Sequence, residues 1–463
     1  MQDLTQGPIP RHIIRMAVPM AAGMIFQTLY YLIDLYFVAR LGDAAIAGVG
    51  AAGTLQFIIM AITQVLGVGT TALIAQAAGR RDRDDATRVL NQSLLLAAVA
   101  GGATLLAGVL FSGVYMRSVA ADGATVAAGT AYLRWFAPSL ALSFAMITLG
   151  SALRGTGITR PMMIVQIVTV VLNAALAPVL IAGWGTGRAL GVAGAGIATF
   201  ISVAIGVVLS WYLFYQSDPF ARVVPAQLRP NGAVLKRIFT IGLPAGGEFA
   251  LMFIITGLMY WIIRPFGATA QAGYGLGTRL MQSIFLPAMA VAFAASPVAG
   301  QNVGAGLADR VRETFRSAAL IGSIVMVGVT ILVQVEADTL LGLFTSDAAV
   351  IAVGAGFLHV ISWNFVSQGL IFTASGMFQA LGNTIPSLIS SGVRITLFAV
   401  PAIWFSGRAD FSLHTVWWWS VATVTIQMLL SVWLVRREMT RRLAGMVPRG
   451  RPDVVTSEQP VAA

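Results

Sequence analysis

The chain has 463 residues, of which 57% are apolar and only 10% charged, and its mean hydropathy is +0.82. Soluble proteins carry roughly 25% charged residues, so this composition excludes a water-soluble globular protein. The chain has no cysteine, which excludes disulfides and thiolate metal sites. Its three histidines lie in separate segments, so we expect no metal site and no enzymatic activity built on a histidine cluster.

Apolar stretches between charged or Gly/Pro-rich breaks predict twelve helices, each long enough to cross a hydrocarbon core of about 30 Å. The first six are predicted near 12–38, 44–77, 88–112, 124–150, 160–183 and 189–215. The second six are predicted near 238–263, 269–302, 314–336, 348–379, 385–406 and 412–435. The predicted fold class is therefore an all-α integral membrane protein with twelve transmembrane helices.

The longest internal linker divides these spans six and six. We predict an N-terminal six-helix lobe over 1–215, a cytoplasmic linker over 216–237, a C-terminal six-helix lobe over 238–436 and a disordered cytoplasmic tail over 437–463. Most of the 29 basic residues lie on one side of the ladder of spans, so the positive-inside rule predicts an inner-membrane protein with both termini in the cytoplasm. The net charge of +11 is thus explained by topology, and no nucleic-acid partner is expected.

The second half of the chain repeats the first at a shift of 225 residues, the difference between Pro244 and Pro19. The same register holds over Gly, Gln, Asp, Thr and Pro positions, which composition alone does not produce. Matching pairs include Gly42 and Gly267, Gln76 and Gln301, Gly79 and Gly304, Asp84 and Asp309, Gly157 and Gly382, and Pro161 and Pro386. Two parallel six-span repeats favour a transporter whose substrate path lies between the halves; a duplicated scaffold or a channel is the alternative.

Two carboxylates fall inside predicted helices, Asp34 in the first and Glu248 in the seventh. An ionisable group in hydrocarbon is expensive and is by default a functional hypothesis. Because removal from water disfavours the charged form, such a group can take up a proton or bind a sodium ion. Asp34 could instead be an interfacial carboxylate near Arg40, and Glu248 could serve only the dipole of its helix.

Uncharged polar and adaptable apolar side chains inside the spans are candidates for ion and substrate binding. Asn173 and Thr199 are predicted to join Asp34 and Glu248 in ion coupling, and a sodium ion could lie at Asp34, Asn173 and Thr199. The predicted substrate cavity comprises Gln27, Tyr30, Tyr31, Met252, Gln282, Asn364 and Gln368. Each of the polar residues could equally form a helix-to-helix hydrogen bond, and methionine is also an ordinary packing residue.

The chain resembles the multidrug and toxin extrusion (MATE) family over residues 10–440. The residues that carry the resemblance are Pro19, Gln27, Asp34, Gly42, Ala47-Gly48 and Ala75-Gln76-Ala77-Ala78-Gly79-Arg80, and in the second half Gly242-Leu243-Pro244 and Ala299-Gly300-Gln301-Asn302-Val303-Gly304. The resemblance implies two six-helix bundles in a V shape and export of organic cations or similar drugs against protons or sodium. It also implies that Asp34 couples ions, with Asn173 and Thr199 around it.

Three departures from the family pattern bear on the coupling ion. Some members carry an acid where this chain has Ala177, and another branch carries acids where this chain has Met252 and Gln368. Glu248 matches a different acidic position, one turn earlier. With these acids absent, the resemblance favours protons over sodium.

The sequence therefore predicts a monomeric secondary antiporter that exports organic cations or drug-like compounds through the lipid bilayer in exchange for protons or sodium. No GxxxxGK[ST] motif occurs, so neither ATP nor a cofactor is expected. The alternative is a flippase or exporter of a lipid-linked precursor or polysaccharide. That alternative would favour a more basic cavity, whereas only Arg134 and Arg279 are assigned to span interiors.

Overall fold

The computed structural model describes residues 1–120, 122–185, 187–217, 220–406 and 412–446, apart from the side chains of Tyr31, Leu35, Phe405 and Ser406. Most of the predicted tail, 447–463, lies outside these residues. In the described part, the regular secondary structure is helical, as the sequence predicts.

The first lobe contains α1 (Ile9–Ala39), α2 (Asp43–Arg80), α3 (Arg83–Val119), α4 (Gly123–Gly155), α5 (Arg160–Ala182) and α6 (Gly191–Gln216). The second contains α7 (Gly232–Ile263), α8 (Gly267–Gly304), α9 (Ala308–Gly342), α10 (Ala348–Ile361), α11 (Phe365–Leu381), α12 (Ile385–Ser406) and α13 (Leu413–Leu443). Side chains cap several helix starts by accepting a backbone N–H bond. These caps are Asp82, Asp122, Asn231, Asp347 and Ser412.

Eleven described segments are long and apolar enough to cross a membrane. One of them, Gly232–Gly304, has 73 residues, roughly 110 Å of helix, and contains both α7 and α8. Counting it as two crossings gives the twelve predicted spans. The single predicted helix at 348–379 is interrupted: α10 and α11 meet at a short 3-10 turn, Ser362–Asn364. Helix α7 also begins inside the predicted linker, and α13 continues past residue 436 to Leu443.

The helices pack in the same pattern in both lobes. In the first lobe α4 contacts α2, α3 and α6, while α5 contacts α1 and α6. In the second lobe α11 contacts α8, α9 and α13, while α12 contacts α7 and α13. These contacts correspond helix by helix, with α10 and α11 together in the place of α4. The internal repeat read from the sequence is therefore a repeat of packing.

Gln76 and Gln301 make a pair of symmetry-related contacts between the two lobes. Gln76 donates a side-chain hydrogen bond to the carbonyl of Ala380 at 2.9 Å, and Gln301 donates to the carbonyl of Gly155 at 3.1 Å. Both donors and both acceptors are 225 residues apart in sequence, so each bond is the symmetry mate of the other. We call this end of the molecule, which also carries Leu4, the terminus side.

The N-terminal segment, residues 1–8, bridges the lobes at this end. Leu4 is fully buried; its N–H donates to Gln301 Oε1 at 3.0 Å and its carbonyl accepts from Asn302 at 3.2 Å. The N–H of Gln2 donates to the carbonyl of Thr156 in the first lobe. Partial burial acts to raise the pKa of the Asp3 carboxyl, but hydrogen bonds from Thr5 and the charge of Arg81 hold it below its usual value.

An ion-pair cluster also joins the lobes on the terminus side. The Asp85 carboxylate on α3 accepts two hydrogen bonds from Arg237 on α7, at 2.7 and 3.0 Å, and one from Arg80 at 2.7 Å. The Asp85 side chain is only 15% exposed, so water screens this cluster less than an open surface pair.

We expect Asp85→Asn to lower the free energy of unfolding by about 1–2 kcal/mol, because a bidentate charge-assisted pair is lost from a partly buried position. Thermal unfolding of the detergent-solubilised protein measures the change. The neighbouring substitution Asp84→Asn is the control, since Asp84 is exposed and its replacement removes the same charge. Equal effects of the two substitutions would show that the cluster adds nothing specific.

Candidate functional site

A set of buried polar side chains lies inside the first lobe, on three helices that pack together. Asp34 on α1 is 7% exposed, Asn173 on α5 is fully buried and Thr199 on α6 is 3% exposed. Asn173 Nδ2 donates a hydrogen bond to the Tyr30 hydroxyl at 3.2 Å, one helical turn before Asp34. That bond fixes α5 against the face of α1 that carries the carboxylate.

Asp34, Asn173 and Thr199 each lie one helical turn from a buried residue of the same hydrophobic cluster. Val38, Ala177 and Ala195 are buried in the same hydrophobic cluster. Each lies four residues, about one helical turn, from a member of the polar set. The offset is toward the C-terminus on α1 and α5 and toward the N-terminus on α6. Because α6 runs opposite to α1 and α5, all three offsets point in the same direction along the bundle. The pairs are Val38 with Asp34, Ala177 with Asn173, and Ala195 with Thr199. The polar set, called the Asp34 layer below, is therefore bordered by buried apolar side chains one turn away.

Several oxygens in this layer have no partner within the described part of the chain. Buried and without a hydrogen bond are Asp34 Oδ1, Asn173 Oδ1, Thr199 Oγ1 and, one turn from Thr199, Ser202 Oγ. Buried polar atoms are normally satisfied, and each exception calls for an explanation such as a bound ion, water or proton. Oxygens of this kind accept a hydrogen bond or ligate a cation, so the layer is equipped to bind a proton on Asp34 or a small cation beside it.

The second carboxylate, Glu248 on α7, lies in the other lobe and in a different environment. Glu248 Oε2 accepts hydrogen bonds from Ser375 Oγ at 2.9 Å and Ser387 Oγ at 2.7 Å, and the two hydroxyl oxygens lie 3.2 Å apart. These bonds join α7 to α11 and α12. The carboxylate of Glu248 is thus held by hydroxyl donors, whereas Asp34 has an unpartnered oxygen. The structure does not bring the two acids into one site.

We expect Glu248→Ala to destabilise the fold by about 1–3 kcal/mol, since two serine hydroxyls in the bundle lose their acceptor. Glu248→Gln should cost less than about 0.5 kcal/mol, because the amide oxygen can still accept both bonds. Chemical or thermal unfolding in detergent distinguishes the two variants. If both unfold alike, the serine bonds do not hold α7 to its neighbours.

The residues predicted to line the substrate cavity are dispersed along helices of both lobes. Gln27 on α1 and Gln282 on α8 are exposed, Met252 on α7 is 45% exposed, and Gln368 on α11 is half-buried. Tyr30 is half-buried and bonds to Asn173, so it belongs to the layer around Asp34. The side chain of Tyr31 lies outside the described residues.

Asn364 lies in the turn that interrupts the helix between α10 and α11, and its Oδ1 is buried without a partner in the described part of the chain. The turn is held by α9, because Gln334 donates to Ser362 Oγ at 2.8 Å and Thr330 to the Ser362 carbonyl at 3.1 Å. The turn Ser362–Asn364 corresponds in the repeat to residues 137–139 of the first lobe, which include Pro138 inside the continuous helix α4. An interrupted helix is typical of the borders of a transport path.

Sequence reasoning missed one charged residue in the second lobe. Arg394 lies inside α12, half-buried, with Nη1 3.5 Å from Gln427 Oε1, and forms no ion pair among the described residues. Its position nine residues after Ile385 in a 22-residue helix was the signal that could have identified it. A guanidinium in the interior of the bundle can recognise a carboxylate or phosphate.

Comparison with known proteins agrees with this architecture. A family model described as MatE matches the chain twice, over residues 19–179 and 244–405, once in each lobe. The fold and the duplicated match define a multi-pass membrane transporter rather than an enzyme. The chain belongs to the MatE family of multidrug efflux transporters, whose fold is the V-shaped pair of six-helix bundles.

Curated and solved relatives cover nearly the whole chain. The "Probable multidrug resistance protein YoeA" of Bacillus subtilis is 26% identical over 418 residues, which are 89% of this chain and 90% of that protein. A MOP superfamily transporter from Pyrococcus furiosus, described as having a binding pocket of reverse polarity, is 25% identical with a TM-score of 0.88 over 95% of this chain and 98% of its own. A multidrug resistance MATE family transporter in an outward-facing conformation gives a TM-score of 0.87 at 25% identity, with the same coverage.

Proposed function

We propose that this protein is a secondary active antiporter of the cell inner membrane that exports organic cations or other drug-like compounds in exchange for protons. The observation that carries the proposal is Asp34, a carboxylate 7% exposed inside a spanning helix, with an oxygen that has no partner in the described chain. An acid in that position marks an ion pathway by default. The relatives' descriptions as multidrug resistance proteins support the substrate class.

The terminus side is taken as cytoplasmic because the basic residues concentrate there. The lobes are joined at that end by Gln76, Gln301 and the Asp85 cluster, so the conformation is closed toward the cytoplasm. Such a state offers the Asp34 layer to a proton from outside. An outward-facing structure among the solved relatives supports this assignment.

Coupling then follows from differential binding. Protonation of Asp34 removes a buried charge and so changes the relative stability of the outward-open and inward-open states, while substrate binding between the lobes biases the same equilibrium. A proton that crosses 100 mV gains about 2.3 kcal/mol, which is about a 50-fold bias in that equilibrium. The inward proton gradient thereby drives outward movement of substrate.

Protons are favoured over sodium because the layer around Asp34 offers a single carboxylate. Its neighbours supply an amide and hydroxyl oxygens, and the next turn of α5 is the buried, apolar Ala177. A sodium ion at Asp34, Asn173 and Thr199 would therefore have only one charged ligand. Glu248 is proposed as a second ion-coupling residue, with its own serine-lined site in the other lobe.

The experiment is efflux of ethidium from proteoliposomes that contain the intact protein, under an imposed pH gradient, an imposed sodium gradient or neither. We expect efflux with the pH gradient and its collapse when a protonophore is added. Efflux driven only by the sodium gradient would show that sodium, and not the proton, is the coupling ion. Efflux that is independent of both gradients would contradict antiport.

A second candidate function, export of a lipid-linked precursor or polysaccharide, is favoured by one observation, the half-buried Arg394 inside the second lobe. A guanidinium without an acidic partner suits a substrate that carries phosphate or carboxylate. Absence of ethidium efflux under either gradient, with a folded and correctly inserted protein, would favour this candidate.

A further inference from the structure

An open groove lies at the terminus-side ends of α1 and α5, on the outside of the first lobe. Its volume is about 720 Å³, and its lining residues are Pro8, Pro10, Arg11, Ile14, Arg15 and Arg160. Arg11, Ile14 and Arg15 occupy one face of α1, at spacings of three and four residues. Arg160 is the first residue of α5, which packs directly against α1. The groove thus brings together three arginines from two helices.

The charge of this groove is uncompensated. No carboxylate lines it, and within the described ranges Arg11, Arg15 and Arg160 form no ion pair, although all three are exposed. The acid nearest in sequence, Asp3, faces Arg81 instead. Like charges gathered on one face repel each other, so an anion that bridges them would be bound favourably.

The walls of the groove and its continuation are apolar. Ile14 is 49% exposed beside the arginines, and one turn further along α1 Val18 is 62% exposed. On α5, Ile164 follows Arg160 by one turn and is 44% exposed. Both helices are long and apolar enough to span the membrane, and these exposed apolar side chains lie directly beyond the three charges along them. The site therefore combines cationic groups at the interface with an apolar track into the bilayer.

We propose that this groove binds the headgroup of an anionic phospholipid from the terminus-side leaflet. The lipid phosphate accepts hydrogen bonds from Arg11, Arg15 and Arg160, whose planar guanidinium groups match phosphate oxygens in pairs. One acyl chain lies along Ile14 and Val18. Basic pockets between helices at the membrane surface bind anionic lipids in this way. The inference is independent of the substrate and of the coupling ion.

A bound lipid has a consequence for transport, because α1 also carries Asp34. The lipid links the first turns of α1 to the first turn of α5, the helix that supplies Asn173. It thereby stabilises the packing on which the Asp34 layer depends. The unfolding temperature of the protein should consequently rise with the fraction of anionic lipid.

The test is native mass spectrometry of the full-length protein in detergent micelles, titrated with dioleoylphosphatidylglycerol or with dioleoylphosphatidylcholine. Each arginine near an anionic lipid contributes about fivefold in affinity, the conversion of about 1 kcal/mol. The triple variant R11Q/R15Q/R160Q should therefore bind phosphatidylglycerol about 100-fold more weakly, whereas phosphatidylcholine binding should change little. The matched control is R222Q/R229Q/R316Q, which removes three exposed charges outside the groove.

Selective loss in the groove variant, with binding retained in the control, is the expected result. Equal loss in both variants, or no loss in either, would overturn the proposal, because the effect would then be one of net charge or would lie elsewhere. Glycerol 3-phosphate provides a further arm: protection from thermal unfolding by this soluble headgroup alone would show a free-phosphate site and overturn the lipid assignment. If the triple variant does not fold, the single variants R11Q and R15Q should each show the fivefold loss.

Discussion

Asp34→Asn should abolish gradient-driven efflux while leaving the fold intact. The amide has nearly the volume of the carboxylate but cannot ionise, so no proton can be taken up on one side and released on the other. Coupling free energies between sites are typically 1–3 kcal/mol, about 5- to 150-fold, and we expect a loss of ~100-fold in the efflux rate under a pH gradient. The measurement is ethidium efflux from proteoliposomes with matched protein content.

Stability distinguishes a functional carboxylate from a structural one at this position. Because Asp34 is buried with an unpartnered oxygen, replacing it by a neutral amide should leave the unfolding temperature unchanged or raise it. A residue retained for structure would show the reverse. Asp43→Asn is the matched control, since Asp43 is an exposed aspartate in the first turn of α2. Full transport by the Asp34→Asn variant would remove this residue from the mechanism.

The architecture could be predicted from the sequence because a membrane-spanning helix can be identified from its own residues alone. A length of about 20 apolar residues and the distribution of basic residues depend on no tertiary contact. The repeat register could also be read from the sequence, since Gln76 and Gln301 are separated by the same 225 residues as Pro19 and Pro244. Only the packed structure shows that the side chains of Gln76 and Gln301 donate hydrogen bonds to carbonyls that are related by the same shift.

The interruption at Ser362–Asn364 was missed for a physical reason. The sequence there has neither proline nor glycine, and the turn is held by hydrogen bonds from Gln334 and Thr330 on another helix. The helix propensity of residues 362–364 does not depend on such distant partners, so it could not reveal the interruption. In the same way, the composition of α7 could not show whether Glu248 has donors; these come from Ser375 and Ser387, more than one hundred residues away in sequence.

For the candidate site, the sequence identified the residue types but not their geometry. Asp34 was recognisable as an acid in an apolar helix, yet its burial and the bond that joins α5 to α1 one turn away, from Asn173 to Tyr30, emerge only from the packed structure. Arg394 was counted among the basic residues of the cytoplasmic side, so its position inside α12 was missed. Burial of polar groups is a property of three-dimensional packing, and hydropathy alone does not encode it.

Adding a methyl group at both Gly79 and Gly304 should open the terminus-side contact between the lobes. A Cβ on Gly79 would fall far inside contact distance of the Gln301 carbonyl oxygen, and a Cβ on Gly304 equally close to that of Gln76. Because the obstacles are backbone atoms, no side-chain rotation can relieve them. Overpacking costs about 1–3 kcal/mol per site, so G79A/G304A should shift the equilibrium away from this conformation by at least about 30-fold.

The shift is measurable by double electron–electron resonance, which the absence of native cysteines simplifies. Spin labels at D84C and D309C, symmetry-related exposed positions on the two lobes, should report a longer distance in the G79A/G304A background. The control is G53A/G257A, where added Cβ atoms meet nothing within 4 Å. An unchanged distance would show that the backbone relaxes around the new methyl groups and that these glycines do not set the closed end. A longer distance with intact secondary structure would identify the Gln76–Gln301 contact as the surface that separates when the transporter changes state.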